Sequence, residues 1–152
     1  MSGGPIPQEE SEAEAILARA CERARRMGLG YAGAVTPREA YELREEGEAL
    51  IVDVRTPPEW QFVGHVPDAP LIEWPRDGER AALQAFVNAI RARFDPSARL
   101  LLICRSGVRS HYAAQLAAHA GFGSVYNVLE GFEGEDGAGN GWRNAGLPWE
   151  RV

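Results

Sequence analysis

Apolar positions along the chain follow a helical period and a strand period in turn. From Ser11 to Met27, Ile16, Leu17, Ala20, Ala24 and Met27 fall on one helical stripe. Ser11 with Glu14 forms a capping pattern at the start, and Gly28 and Gly30 stop the helix. Arg23, Arg25 and Arg26 near its end suit the helix dipole. A short strand over 30–35 leads into Thr36-Pro37-Arg38-Glu39, a capping box with proline in the first turn, so a second helix should run to Glu46. Residues 49–54 form a β-branched apolar run of the buried-strand kind. Pro57 and Pro58 start a short helical turn, and 69–72 reads as another short strand. Leu83, Phe86, Val87, Ile90 and Phe94 return to helical spacing and are closed by Asp95-Pro96. Leu100–Ile103 is the most apolar strand, residues 110–120 an alanine-rich helix, and 124–128 a last strand. Strands alternating with helices predict βαβ units: an α/β fold with a five-stranded parallel sheet and helices on both faces.

Composition narrows this picture. A chain of 152 residues suits one domain. Residues 1–10 are rich in Gly, Pro and acid and read as a disordered tail; 11–30 form an N-terminal helical extension, and 31–152 the domain proper. The balance of 16 basic against 22 acidic residues gives a net charge of −6, which disfavours nucleic acid and anionic membranes as partners. No apolar run approaches the ~20 residues of a membrane helix, and the first residues do not resemble a secretory signal, so a cytoplasmic location is expected. All 16 basic residues are Arg, which excludes lysine Schiff-base chemistry and makes Arg the cation for any bound anion. Cys21 and Cys104 form neither a disulfide framework nor a zinc site; no metal or cofactor is expected.

The chemistry concentrates after the most apolar strand. Cys104 ends that strand, Arg105, Ser106, Gly107, Val108 and Arg109 turn, and a helix begins. The N–H groups of such a turn and of the helix start converge on one spot and favour an anion, here the cysteine thiolate. Gly107 permits the tight turn, and Arg105 and Arg109 add positive charge. A buried, inert cysteine would explain Leu100–Ile103 but not one glycine and two arginines in the next five positions.

These residues closely resemble the rhodanese-like family of sulfurtransferases. Residues 104–110 are similar to its active-site loop. Asp53-Val54-Arg55, Glu59 and Gly64-His65-Val66-Pro67-Asp68-Ala69 resemble the stretch before its third strand. Val125-Tyr126-Asn127, Glu130-Gly131-Phe132 and Gly146-Leu147-Pro148 resemble its closing motif. The resemblance spans about 34–149. It implies that Cys104 takes sulfur from a thiosulfate-like donor as a persulfide and passes it to a thiophilic acceptor, which a protein could serve as. In that reading Arg105 holds the donor's sulfonate, and Arg109 sets the pocket's field or holds the loop. The alternative is a non-catalytic rhodanese-like binding or sulfur-carrier module serving a protein partner. Phosphatases of related architecture resemble Cys-x5-Arg; the shorter Cys-x4-Arg spacing here favours sulfur transfer.

Asp53 and Arg55 are candidates for orienting the loop from behind; the structural reading pairs Arg55 with Glu59. His65 reads as a turn histidine bonded to backbone. Trp60, Trp74, Trp142 and Trp149 read as core or groove aromatics. Cys21, beside Ala20 and Ala24, reads as a small packing residue, with a resolving role toward Cys104 as the alternative. Residues 133–141 depart from the family pattern as an insertion before Trp142. They cannot pack a core and are expected to be a flexible acidic loop near the Cys104 rim.

Overall fold

A computed structural model of the chain describes residues 11–151. The expected tail at 1–10 lies outside them. The elements run α1 (Glu12–Met27), β1 (Gly33–Val35), α2 (Pro37–Glu45), β2 (Leu50–Asp53), a wide π-helical turn (Glu59–Val63), α3 (Arg80–Arg93), β3 (Leu100–Ile103), α4 (Val108–His119) and β4 (Val125–Val128). Both predicted caps form. Ser11 Oγ accepts from Glu14 N at 3.1 Å, and Thr36 and Glu39 satisfy each other's backbone N–H reciprocally.

All pairings in the sheet are parallel, in the order β1-β4-β3-β2. Among the described residues the sheet has four strands, not the five expected. The segment at 69–72 meets β2 only at the isolated bridge between Asp53 and Leu71. Asp53 N donates to Pro70 O and Ile72 N to Asp53 O, so pairing starts. Pro70 has no N–H to extend it in one direction, and in the other the Arg55 N–H that would continue it turns to Asp53 Oδ1.

Alternation along β3 explains the layers. Leu101 and Ile103 pack with Ile16 and Ala20 of α1 and Leu43 of α2, and on the same face lie Phe132 and Trp142. Leu100, Leu102 and Cys104 pack with Phe86 and Ile90 of α3 and with Ala113, Ala114 and Ala117 of α4. Residues 100–103 are fully buried, as a central strand covered on both faces requires; each such apolar side chain contributes roughly 1.5–3 kcal/mol. Cys104 therefore sits at the carboxyl end of a central strand, where parallel α/β sheets place their sites.

Cys21 corrects its expected role. On α1 the buried line is Ala13, Ile16, Ala20 and Ala24, and Cys21 lies about 100° round the helix from Ala20, on the exposed side.

Candidate active site

Past Ile103 the chain leaves the sheet, turns through residues 104–107 and enters α4 at Val108. Gly107 is the helix N-cap, with φ +96, a left-handed conformation that a side chain would strain. Its N–H points back and donates to Cys104 Sγ at 3.1 Å. The start of α4 is thus aimed at the sulfur, so its backbone field favours negative charge there. Gly131 lets the following chain press against the loop, since a Cβ on it would lie 2.5 Å from the Arg105 carbonyl. Phe132 N then donates to Cys104 O, and Glu133 N to Arg105 O. These bonds fix the loop from beneath.

Cys104 is 1% exposed and faces a polar chain. Its sulfur lies 3.2 Å from Ser110 Oγ, which donates to Asn127 Oδ1 at 2.5 Å. Asn127 is oriented by its Nδ2, which donates to Gly107 O at 3.1 Å. Ser110 has a single hydroxyl proton. That proton can serve Asn127 Oδ1 or the Cys104 sulfur, but not both at once. No pattern in the sequence singles out Ser110 or Asn127 as acting on Cys104. Ser110 stood at the helix start and Asn127 inside the last strand, and only the fold brings them together.

The two loop arginines take different places. Arg109 forms a two-pronged pair with Glu59, at 2.7 and 2.8 Å. Burial opposes ionisation of Glu59, but bonds from Arg109 and from the Thr56 backbone and hydroxyl outweigh it and hold the carboxyl at about 2. The hydrogen bond to Glu59 raises Arg109 further, against burial. Arg105 is 56% exposed and approaches Glu133 at 3.4 Å. Val108 is exposed, and Ser106 and Gly107 are half-buried.

Glu59 is therefore not the partner of Arg55. Arg55 is fully buried and pairs with Asp53, with its Nη2 at 2.7 Å from Oδ2, and also donates to Gly64 O at 2.7 Å. Its guanidinium lies 4.6 Å from the centre of the Phe132 ring. Asp53 and Arg55 thus brace the residue whose N–H holds the Cys104 carbonyl. Thr56-Pro57-Pro58-Glu59 has capping-box spacing, the sequence feature that could have claimed Glu59 for the turn. His65 does bond backbone: its Nδ1 lies 3.0 Å from Trp60 O, and its ring stacks on Trp60.

The inserted residues 133–141 form a closed loop. Glu135 N donates to Asn140 Oδ1 and Gly141 N to Glu130 Oε1. Its Glu135 and Asp136 line a cavity of about 550 Å³ together with Ser106, Gly107 and Val108. No group of three or more His, Cys, Asp or Glu able to hold a metal occurs among the described residues. No helix among them is long and apolar enough to cross a membrane.

The rhodanese-like domain family model matches residues 36–135. The chain belongs to the rhodanese-like family. This rhodanese-like chain is 34% identical over 120 residues to "Uncharacterized protein RP600 homolog" of Rickettsia rickettsii, covering 74% of this chain and 92% of that one. It is 33% identical over 99 residues to the thiosulfate sulfurtransferase GlpE of Pseudomonas aeruginosa, covering 65% of this chain and 79% of the relative. Among solved structures, Rv0390 from M. tuberculosis superposes with a TM-score of 0.68 at 40% identity, over 80% of this chain and 99% of that one.

Proposed function

We propose that the protein is a rhodanese-type sulfurtransferase working through a Cys104 persulfide, with 31–152 as the catalytic unit and 11–30 as an extension of it. The observation that carries this reading is the Gly107 N–H at 3.1 Å from Cys104 Sγ, at the start of a helix pointed at that sulfur. The thiosulfate sulfurtransferase name of the relatives from Pseudomonas and two Actinobacillus species supports the donor class.

In the first half-reaction the Cys104 thiolate attacks the outer sulfur of thiosulfate. A new S–S bond forms, the donor's own S–S bond breaks, and sulfite leaves with its electron pair. In the second, a thiophilic acceptor attacks the outer sulfur of the persulfide, and Cys104 departs as thiolate. Both halves pass negative charge through the same sulfur. A fixed N–H and the field of α4 stabilise it without reorganising. Arg105, on the exposed side, holds the sulfonate; Arg109 is engaged by Glu59 and keeps the loop's shape.

The 1% exposure of Cys104 favours a second reading, a sulfur carrier that reacts only when a partner protein opens the loop. A thiosulfate-to-cyanide assay separates the two. The enzyme reading predicts turnover with these small molecules alone and its loss in Cys104→Ser. No turnover in a folded wild-type protein favours the carrier.

A further inference from the structure

The cavity of about 550 Å³ beside the Cys104 loop plays no part in the chemistry just described. Its lining includes apolar Leu29, from the segment after α1, and Leu129, after β4. Ser106 to Val108 of the loop also line it, and Gly107 is the residue whose N–H holds the Cys104 sulfur. Anything seated there lies against the reacting loop.

Two features of the mouth say what fits. Three large apolar side chains stand around it in solvent: Met27 is 57% exposed, Val108 59% and Tyr112 54%. Met27 belongs by spacing to the buried stripe of α1, yet the fold leaves it uncovered. A small molecule filling the cavity would leave these outward side chains wet, whereas a polypeptide lying across the mouth would cover them. The charge is one-sided. Glu130, Glu135 and Asp136 line the cavity, none of its lining residues is Arg, and its one imidazole, that of His111, has Nδ1 2.7 Å from the Tyr31 hydroxyl. Two of these acids come from the insertion at 133–141.

We infer that this cleft docks a polypeptide segment that carries an apolar side chain flanked by Lys or Arg, and that presents the cysteine accepting sulfur from Cys104. The inference rests on the persulfide reading for its chemistry and on the cleft for its partner. The acceptor thiolate attacks the outer sulfur of Cys104–S–SH and becomes a peptide persulfide; the enzyme S–S bond breaks, and Cys104 leaves as thiolate. Atoms and charge balance without a further reductant. The acidic rim attracts a basic segment and repels small anionic thiols.

The test uses two synthetic peptides with the same tryptophan and single cysteine, one flanked by lysines and one by glutamates. Binding is read by fluorescence anisotropy on labelled versions carrying serine for cysteine, so it needs no catalysis. The lysine peptide should bind at least about tenfold tighter than the glutamate peptide, and the gap should narrow as salt rises. Tyr112→Ala and the double variant Glu135→Gln/Asp136→Asn should each weaken it several-fold. With thiosulfate-loaded enzyme, the lysine peptide should also be the better sulfur acceptor, and its kcat/KM relative to cyanide should drop in the same variants. Equal binding of the two peptides, or binding indifferent to both variants, overturns the inference even if transfer to cyanide proceeds. A small aromatic ammonium ion such as tyramine binding as tightly as the lysine peptide also overturns it, and assigns the cleft to a small molecule. A lysine peptide that binds as expected to an enzyme that never loads sulfur overturns the persulfide reading and leaves the docking site standing.

Discussion

Arg105 and Arg109 bracket one loop, yet the two flanks they hold are built differently. On the inner flank Arg109, 32% exposed, is clamped by both oxygens of Glu59, which is itself fixed by Thr56. On the outer flank Arg105, 56% exposed, has one long contact with Glu133. Identical charges thus meet different surroundings. A guanidinium whose donors are taken by a carboxylate holds a shape, while one facing water can exchange its partner for an incoming anion. Charge counted along a sequence does not distinguish the two. The number of partners each fold position supplies does.

The largest effect that separates the flanks is on stability. Arg109→Ala should lower the unfolding free energy by about 2–3 kcal/mol, because it leaves Glu59 without its charged donors. Transfer should fall with it as the loop loosens, and Arg109→Lys should recover only part. Urea denaturation read alongside steady-state rates checks this; an unchanged denaturation midpoint would place the brace elsewhere.

Arg105→Ala should act oppositely. Its stability should stay within about 0.5 kcal/mol, while kcat/KM for thiosulfate falls about ten- to a hundredfold, mainly through KM. An unchanged KM would remove Arg105 from donor binding.

The Glu59 carboxyl sharpens the contrast through pH. Its value falls from 4.5 unfolded to about 2 folded, so its contribution is complete above about pH 4.5 and is lost as pH drops toward 2. The stability gap between wild type and Glu59→Gln should shrink over that interval. A gap constant from pH 6 to pH 3 would contradict the pair's role.

The smallest effect belongs to Glu133→Gln. Freed of a surface ion pair worth ~0–1 kcal/mol, Arg105 should lower the thiosulfate KM about two- to threefold. A higher KM would mean Glu133 orients Arg105 rather than competing for it.

Local patterns were readable from sequence. The four strands and four helices fall within a few residues of their expected places, because β-branched runs, capping boxes and glycine stops act over short distances. The Cys104 loop was legible for the same reason, being one contiguous stretch. What failed or stayed hidden depends on distant residues. The segment at 69–72 has a strand's composition, but Pro70 on one side and the Arg55 N–H held by Asp53 on the other leave the pairing at one bridge. Cys21 neighbours buried alanines in sequence but faces outward on the helix. Glu59 lies 50 residues from Arg109 and far nearer in sequence to Arg55, so proximity along the chain suggested the wrong partner. Ser110 and Asn127 meet across 17 residues only because α4 folds back onto β4.

The proposed chemistry requires that one of the two thiols be made reactive by its surroundings. Cys104 has the Gly107 N–H and the start of α4 directed at it, whereas Cys21 sits exposed on the side of α1. The direct measurement is peptide mass mapping after incubation with thiosulfate and removal of excess donor. One added sulfur atom is expected on the peptide containing Cys104, none on that containing Cys21, and no loading in Cys104→Ser. Sulfur on Cys21 alone, or full transfer activity in the serine variant, would contradict it.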